Sequence, residues 1–427
     1  MRARAGIGAL VHRGMFARST ALVHRGVLAR STALVHRGVL ARSMALVLRG
    51  VLARSMALAL LASLALASVF ASAGCGEKIT VPQAKGIPSS SLYLEKGQWD
   101  LTDPTDLIEA AGKIFVTEGQ PGTLTKYNLK GALDKGPVSG LANPTAVCLD
   151  SLARTVVVGE SGGDGIPLRL SFYAQGDLAP LGTFDLSGLA KSVAALATRG
   201  DLLYLADPDS GAVLRFRWLD HLGGILQARG EVANSRGSAE SPQFVQRPVG
   251  LAFDSAGMLL VCDADTTRNW VIRFDPAPAN GDSTSTGQIV PFYPSNCPTV
   301  DISAHVLGKA PGCGGMFEPG PGSDAGEFDV PYGVGIDREG RIYVADSGNG
   351  RGQRFTPNGS FDLIFGNGAG GAAPLQSPRK FAIVHGVTTR GGIQVEISGA
   401  ILYVVDAATA QIRIFEDKRW SDFKGGS

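Results

Sequence analysis

The sequence predicts an all-β protein: a closed ring of six four-stranded units that follows an export segment. Three observations predict it. Fifty-seven glycines and 23 prolines punctuate the 427 residues too often for a helical protein and suit short strands joined by turns. Beyond the export segment no stretch sustains helical periodicity, while aromatic and β-branched residues gather in short runs. Finally, one strand–turn pattern recurs six times, each copy carrying an acid after its second strand. One such unit cannot bury both of its faces alone, and a ring of repeats solves that problem.

The chain opens on an address. Residues 9–56 repeat every twelve residues, from ALVHRGMFARST at Ala9–Thr20 to ALVLRGVLARSM at Ala45–Met56. Twelve residues are too few for a self-supporting unit. The array reads as a duplicated leader whose start is Met44 or Met56, with a basic amphipathic membrane-surface helix as the other reading. From Met44 onward the order is that of a secretory signal: Arg49 and Arg54, the apolar run Ala57–Phe70, then Ala71-Ser72-Ala73-Gly74. That run is too short to span a bilayer comfortably.

Ser72-Ala73-Gly74-Cys75 resembles the lipobox of bacterial lipoproteins. The resemblance implies that residues 1–74 are removed and that Cys75 becomes the lipid-modified first residue. Residues 75–90 would then be a tether, and the protein would be exported to the cell envelope and held to a membrane. Gly76, in place of an aspartate, points to the outer membrane. All ten charged residues ahead of Cys75 are arginines, which leaves 30 basic against 38 acidic residues and a net charge of −8 after it. That balance argues against a nucleic-acid partner.

The clearest repeat is Pro331–Gly366, PYGVGIDREGRIYVADSGNGRGQRFTPNGSFDLIFG. Pro331 opens an inner strand, where a missing N–H is tolerated. Ile342-Tyr343-Val344-Ala345 is continuously apolar, as a strand covered on both faces must be. Asn358-Gly359 is expected to supply the positive φ values of a tight hairpin. The stretch resembles an NHL repeat, and its grammar returns at Pro248–Phe274, Pro144–Tyr173, Val193–Phe216, Pro104–Tyr127 and Pro378–Phe415. The resemblance implies a six-bladed β-propeller of the NHL type over residues 91–427, with an insertion near 277–330. The last copy runs out after its third strand, so Ser90–Leu94 is expected to return as its outer strand and close the ring.

The second-strand acids are Glu118, Glu160, Asp207, Asp263, Asp346 and Asp406. A short acid at a strand end, followed by turn residues, is suited to accepting backbone N–H bonds, so all six are read as structural. Gly159-Glu160-Ser161-Gly162-Gly163 matches G-x-S-x-G, but no strand-to-helix turn with a poised histidine accompanies it. Gly366–Gly371 matches G-x-G-x-x-G without a following helix to meet a phosphate. After Cys75 the only histidines are His221, His305 and His385. Zinc would need all three around one point, and two of them fall in linkers. Cys148 and Cys262 lie within apolar strands and are read as small hydrophobes. Cys297 and Cys313 bracket part of the insertion, where an oxidising compartment favours a disulfide.

Loops joining second to third strands, and each blade to the next, share one propeller face, and the longest insertions fall there. That face is the expected binding face, with Arg247, Arg268, Trp270, Tyr332 and Arg379 as candidate contacts. The leading expectation is a non-enzymatic module that binds a protein or small ligand at the envelope, with no catalytic residue, metal or cofactor assigned. The alternative is a metal-dependent propeller enzyme of the amidating-lyase or lactonase kind, and a third is an assembly lipoprotein.

Overall fold

A computed structural model of the chain describes residues 93–163, 165–221, 224–234, 245–266, 269–276, 288–289, 321–368, 372–390 and 393–419. Among the described residues twenty-four strands form six antiparallel four-stranded sheets. Blade one holds β2–β5 (Pro104–Ala110, Lys113–Glu118, Thr123–Asn128, Leu133–Ser139), and blade two holds β6–β9 (Pro144–Asp150, Thr155–Glu160, Arg169–Ala174, Pro180–Asp185). Blade three holds β10–β13 (Ala195–Arg199, Leu202–Asp207, Ala212–Asp220, Ile225–Asn234). Blade four holds β14–β17 (Pro248–Phe253, Leu259–Asp263, Trp270–Asp275, Gln288–Ile289), and blade five β18–β21 (Pro331–Ile336, Ile342–Asp346, Arg351–Phe355, Phe361–Phe365). In blade six, β22–β24 (Pro378–Arg390, Ile393–Asp406, Gln411–Asp417) are completed by β1 (Tyr93–Asp100). The six inner strands touch in ring order, with β22 returning to β2. The protein is a six-bladed β-propeller.

Turn chemistry explains how so short a repeat folds. Asp337 Oδ1 accepts the N–H groups of Glu339 and Arg341, both at 2.9 Å, and Gly340 takes the left-handed conformation at φ +78°. Asp254 with Gly257, and Asn128 with Gly131, repeat the arrangement. This is an Asx turn, and it accounts for the recurring acid-to-glycine spacing. At Thr356–Ser360 the expectation needs correction. Gly359 alone has positive φ (+84°), because Thr356 N–H meets the Ser360 carbonyl and makes a three-residue turn rather than a two-residue one.

Burial follows from the ring. Among the described residues six apolar clusters are each shared by two neighbouring blades, including the pair six and one. Within β19, Ile342 and Val344 pack towards blade four, and Tyr343 packs towards blade six. An uninterrupted apolar strand is what that two-sided contact requires.

Closure is made by the returning strand. Tyr93 pairs with Asp417 and Asp100 with Gln411, so β1 is the outer strand of blade six; Ser90–Leu92 lie outside the described residues. The Glu95 carboxylate accepts both Nε and Nη2 of Arg413 at 2.5 Å. Trp99 packs between Tyr127 and Tyr403, with ring centroids 5.6 and 5.2 Å away. Gly131 has no side chain because the Trp99 indole occupies the space a Cβ would need.

Candidate functional site

The six repeated acids stand at equivalent positions. In five blades the strand-opening proline pairs with the acid: Pro104 with Glu118, Pro144 with Glu160, Pro248 with Asp263, Pro331 with Asp346, Pro378 with Asp406. In every blade the carboxylate accepts the N–H two residues before that opening position. The donors are Thr102 (2.8 Å), Ala142 (2.7 Å), Lys191 (2.9 Å), Gln246 (3.0 Å), Asp329 (2.7 Å) and Gln376 (3.0 Å). Each acid therefore ties the loop arriving from the preceding blade to its own blade. Burial pushes the Asp263 and Asp346 carboxyls above the usual range, while the N–H groups of Arg247 and Asp329 pull the other way.

The same entry segments shape the mouth of the axial channel. Register slips between Pro104 and Asp106, Pro144 and Ala146, Pro248 and Gly250, Pro331 and Gly333, and Pro378 and Lys380. Thr105, Thr145, Val249, Tyr332 and Arg379 are the extra residues of these bulges. Thr105 Oγ1 donates to the Pro144 carbonyl at 2.8 Å, and Thr145 Oγ1 donates to that of Val193, so bulge side chains lace adjacent blades. Gly333 must be glycine here: a Cβ would lie 2.0 Å from the Arg379 carbonyl oxygen.

Lys380 crosses the axis. From blade six its buried ammonium donates to the carbonyls of Ala194 (3.0 Å) and Val249 (2.9 Å), at the entries to blades three and four. Asp106, at the matching position of blade one, is also buried, and its oxygens accept the N–H groups of Leu107 (2.8 Å) and Val147 (2.9 Å). Burial raises the Asp106 pKa to about 6, against the lowering influence of the Lys380 charge. The Arg379 guanidinium lies over Tyr332 with Cζ 5.0 Å from the ring centroid, and Lys380 Nζ lies 5.8 Å from the same ring.

The candidate contacts are distributed unevenly. Tyr332 and Arg379 come together, half-buried at the mouth, and Arg247 is exposed on the loop face. Trp270 corrects the sequence reading: it is only 4% exposed, and its indole N–H donates to Asp263 at 3.1 Å. It opens the third strand beside the repeated acid, and so turns inward. Arg268, His305, Cys75, Cys297 and Cys313 lie outside the described residues. Cys148 and Cys262 are buried free thiols.

The two described histidines stand apart. His221 Nδ1 lies 2.6 Å from Asp150 on a ring stacked against Trp218, while His385 Nδ1 accepts the Gly399 N–H. Among the described residues no three His, Cys, Asp or Glu side chains gather as a metal site. Ser161 Oγ shares a hydrogen bond with Thr145, not with a histidine. Between blades one and two the loop face also holds a depression of about 500 Å³ lined by Gly119–Gly122, Asn143 and Gly163.

Sequence reasoning passed over Lys380 and Asp106. A signal was there: aligned by their opening residues, the copies carry Asp106, Ala146, Ala195, Gly250, Gly333 and Lys380 at one position. Two opposite charges stand among four small residues.

Fold and site together define a six-bladed propeller with a laced loop face and a cation across its axis. No family model matches the chain, and no curated protein does. Among solved structures, one of similar fold is a structural genomics protein of unknown function from Bacteroides thetaiotaomicron. It is 11% identical with a TM-score of 0.46, over 76% of this chain and 72% of that one. Another is a putative gluconolactonase, 16% identical with a TM-score of 0.44, over 76% and 94%. A calcium-binding protein, regucalcin, from Agrobacterium tumefaciens is 13% identical with a TM-score of 0.44, over 75% and 93%. At these scores the likenesses carry no argument about chemistry, and the architecture rests on the strand pairing itself.

Proposed function

We propose that this propeller is a binding module of the NHL type whose loop face receives a ligand or partner, displayed at the cell envelope through a lipid on Cys75. The observation that carries the reading is the Lys380 ammonium, held across the axis by the Ala194 and Val249 carbonyls. A catalytic metal needs converging ligands and an open coordination position; here a cation of the chain itself stands in the channel, and the repeated acids are spent on their own loops. A rigid scaffold that spends its interior on closure leaves recognition to its loops. A Cys297–Cys313 bridge in the insertion of that face belongs to the same proposal.

The test is a photocrosslinking residue placed at Arg247, on the loop face, and separately at Leu152, which is 64% exposed in a turn of the opposite face. In cells of the native host, a discrete adduct at position 247 and none at 152 is expected. Adducts at 152 alone would overturn the assignment of the face.

A further inference from the structure

We propose that Arg379, Tyr332 and Lys380 form an anion-recognition site at the loop-face mouth of the axial channel, built for a ligand bearing a carboxylate or phosphate oxyanion. The inference rests on the loop face being the binding face, and it names the chemistry that face would read.

Arg379, half-buried, stands apart from four buried arginines that meet carboxylates. Arg341, Arg351, Arg354 and Arg413 each meet a carboxylate, at 2.7, 2.7, 2.6 and 2.5 Å. Arg379 has no such partner among the described residues, and its buried Nε has no hydrogen bond at all. Burying an Nε–H without an acceptor is costly, and the fold has done so here. It has also placed a second cation, Lys380, against the same Tyr332 ring. Two like charges beside one aromatic ring repel, and an anion within reach of both relieves that repulsion.

The nearby acids are already committed. Asp106 has both oxygens on backbone N–H groups, and Asp346 and Asp406 hold their own entry loops. Contact with the ring restrains the guanidinium, which suits two parallel N–H···O bonds to coplanar oxygens. Lys380, with two of its three N–H groups on carbonyls, adds a fixed charge beside the same ring. Position two of the inner strand is a bulge, so the Arg379 backbone is displaced from the ladder and its side chain meets Tyr332, the bulge residue of blade five.

The test is calorimetric titration of the full-length protein with sodium succinate, inorganic phosphate and neutral succinamide, in a chloride background. At least one of the two anions should bind with succinamide silent, and the tighter one identifies the source as carboxylate or phosphate. Arg379→Gln should weaken that binding by roughly tenfold or more, and Arg379→Lys should restore part of it. Lys130→Gln, on the opposite face, should leave it unchanged. The Arg379 Nε–H NMR signal of the unmodified protein should shift during the same titration, which removes dependence on how any variant folds. Neither anion binding better than chloride, or Arg379→Gln binding like the parent, overturns the site. Crosslinking at position 247 without anion binding would sink this inference alone. Anion binding without loop-face crosslinking would leave the site standing and sink the platform reading.

Discussion

Tyr93 and Tyr343 share a buried hydrogen bond, hydroxyl to hydroxyl at 3.0 Å, across 250 residues of chain. One belongs to the strand that closes the ring and the other to the second strand of blade five. Tyr343 donates to Asp337 at 2.9 Å, so the single Tyr93 proton is shared between the Tyr343 hydroxyl and the Gly399 carbonyl, 2.8 Å away. Closure is therefore fastened by polar groups as well as by strand pairing. Tyr93→Phe should strip the Gly399 carbonyl of this partner and lower stability by about 2 kcal/mol, read from the midpoint of urea unfolding. An unchanged midpoint would mean that the strand pairing alone carries closure.

Much of this was legible in the sequence, and for a physical reason. A blade covered on both faces needs unbroken apolar strands, and its turns need an acid followed by glycine, so the blades announce themselves locally. The returning strand was legible because the sixth copy lacks its fourth strand. Trp270 was misplaced because proximity to a rim says nothing of which way a side chain turns. Lys380 was passed over because its partners, Ala194 and Val249, are 186 and 131 residues away and are contacted through carbonyls. No side-chain pattern records a backbone acceptor.

Asp106 gives the channel a pH signature. Its folded pKa, about 6, lies above the ordinary 3.8, so between those values the folded state holds a proton that the unfolded state has released. Stability from this group is thus full below pH 4 and lost as pH rises towards about 6, by up to about 3 kcal/mol. Urea midpoints measured across that window should fall with pH in the parent, and Asp106→Asn should flatten this part of the profile. Parallel profiles for the two proteins would refute the assignment.

Asp106 should titrate under the influence of the Lys380 charge. The Lys380 charge lowers the Asp106 pKa, so Lys380→Met should move the Asp106 midpoint upward, as followed by the carboxyl carbon-13 signal. The same variant leaves two carbonyls without their donor and should cost about 2–3 kcal/mol of stability. A destabilised variant with an unmoved Asp106 midpoint would separate the two groups and remove the axial pairing from this account.

The anchor and the insertion have their own readouts. A lone acyl chain holds a protein to a membrane only marginally, whereas several hold it firmly, so Cys75→Ala should release the protein into the soluble envelope fraction or block its processing. Thiol titration of the unreduced, denatured parent should find Cys148 and Cys262 but not Cys297 or Cys313. Two further free thiols would remove the bridge from the proposal.

The claim that the axis is closed by a lysine, and that recognition therefore belongs to the loop face, meets its most direct test in elemental analysis. The purified full-length protein would be incubated with zinc, calcium and magnesium and then dialysed. No stoichiometric metal should remain, and Lys380→Met should be needed before any is retained. One equivalent of a divalent metal in the unmodified protein, lost on substitution of His385 or Asp106, would place a metal centre in the channel and contradict the account.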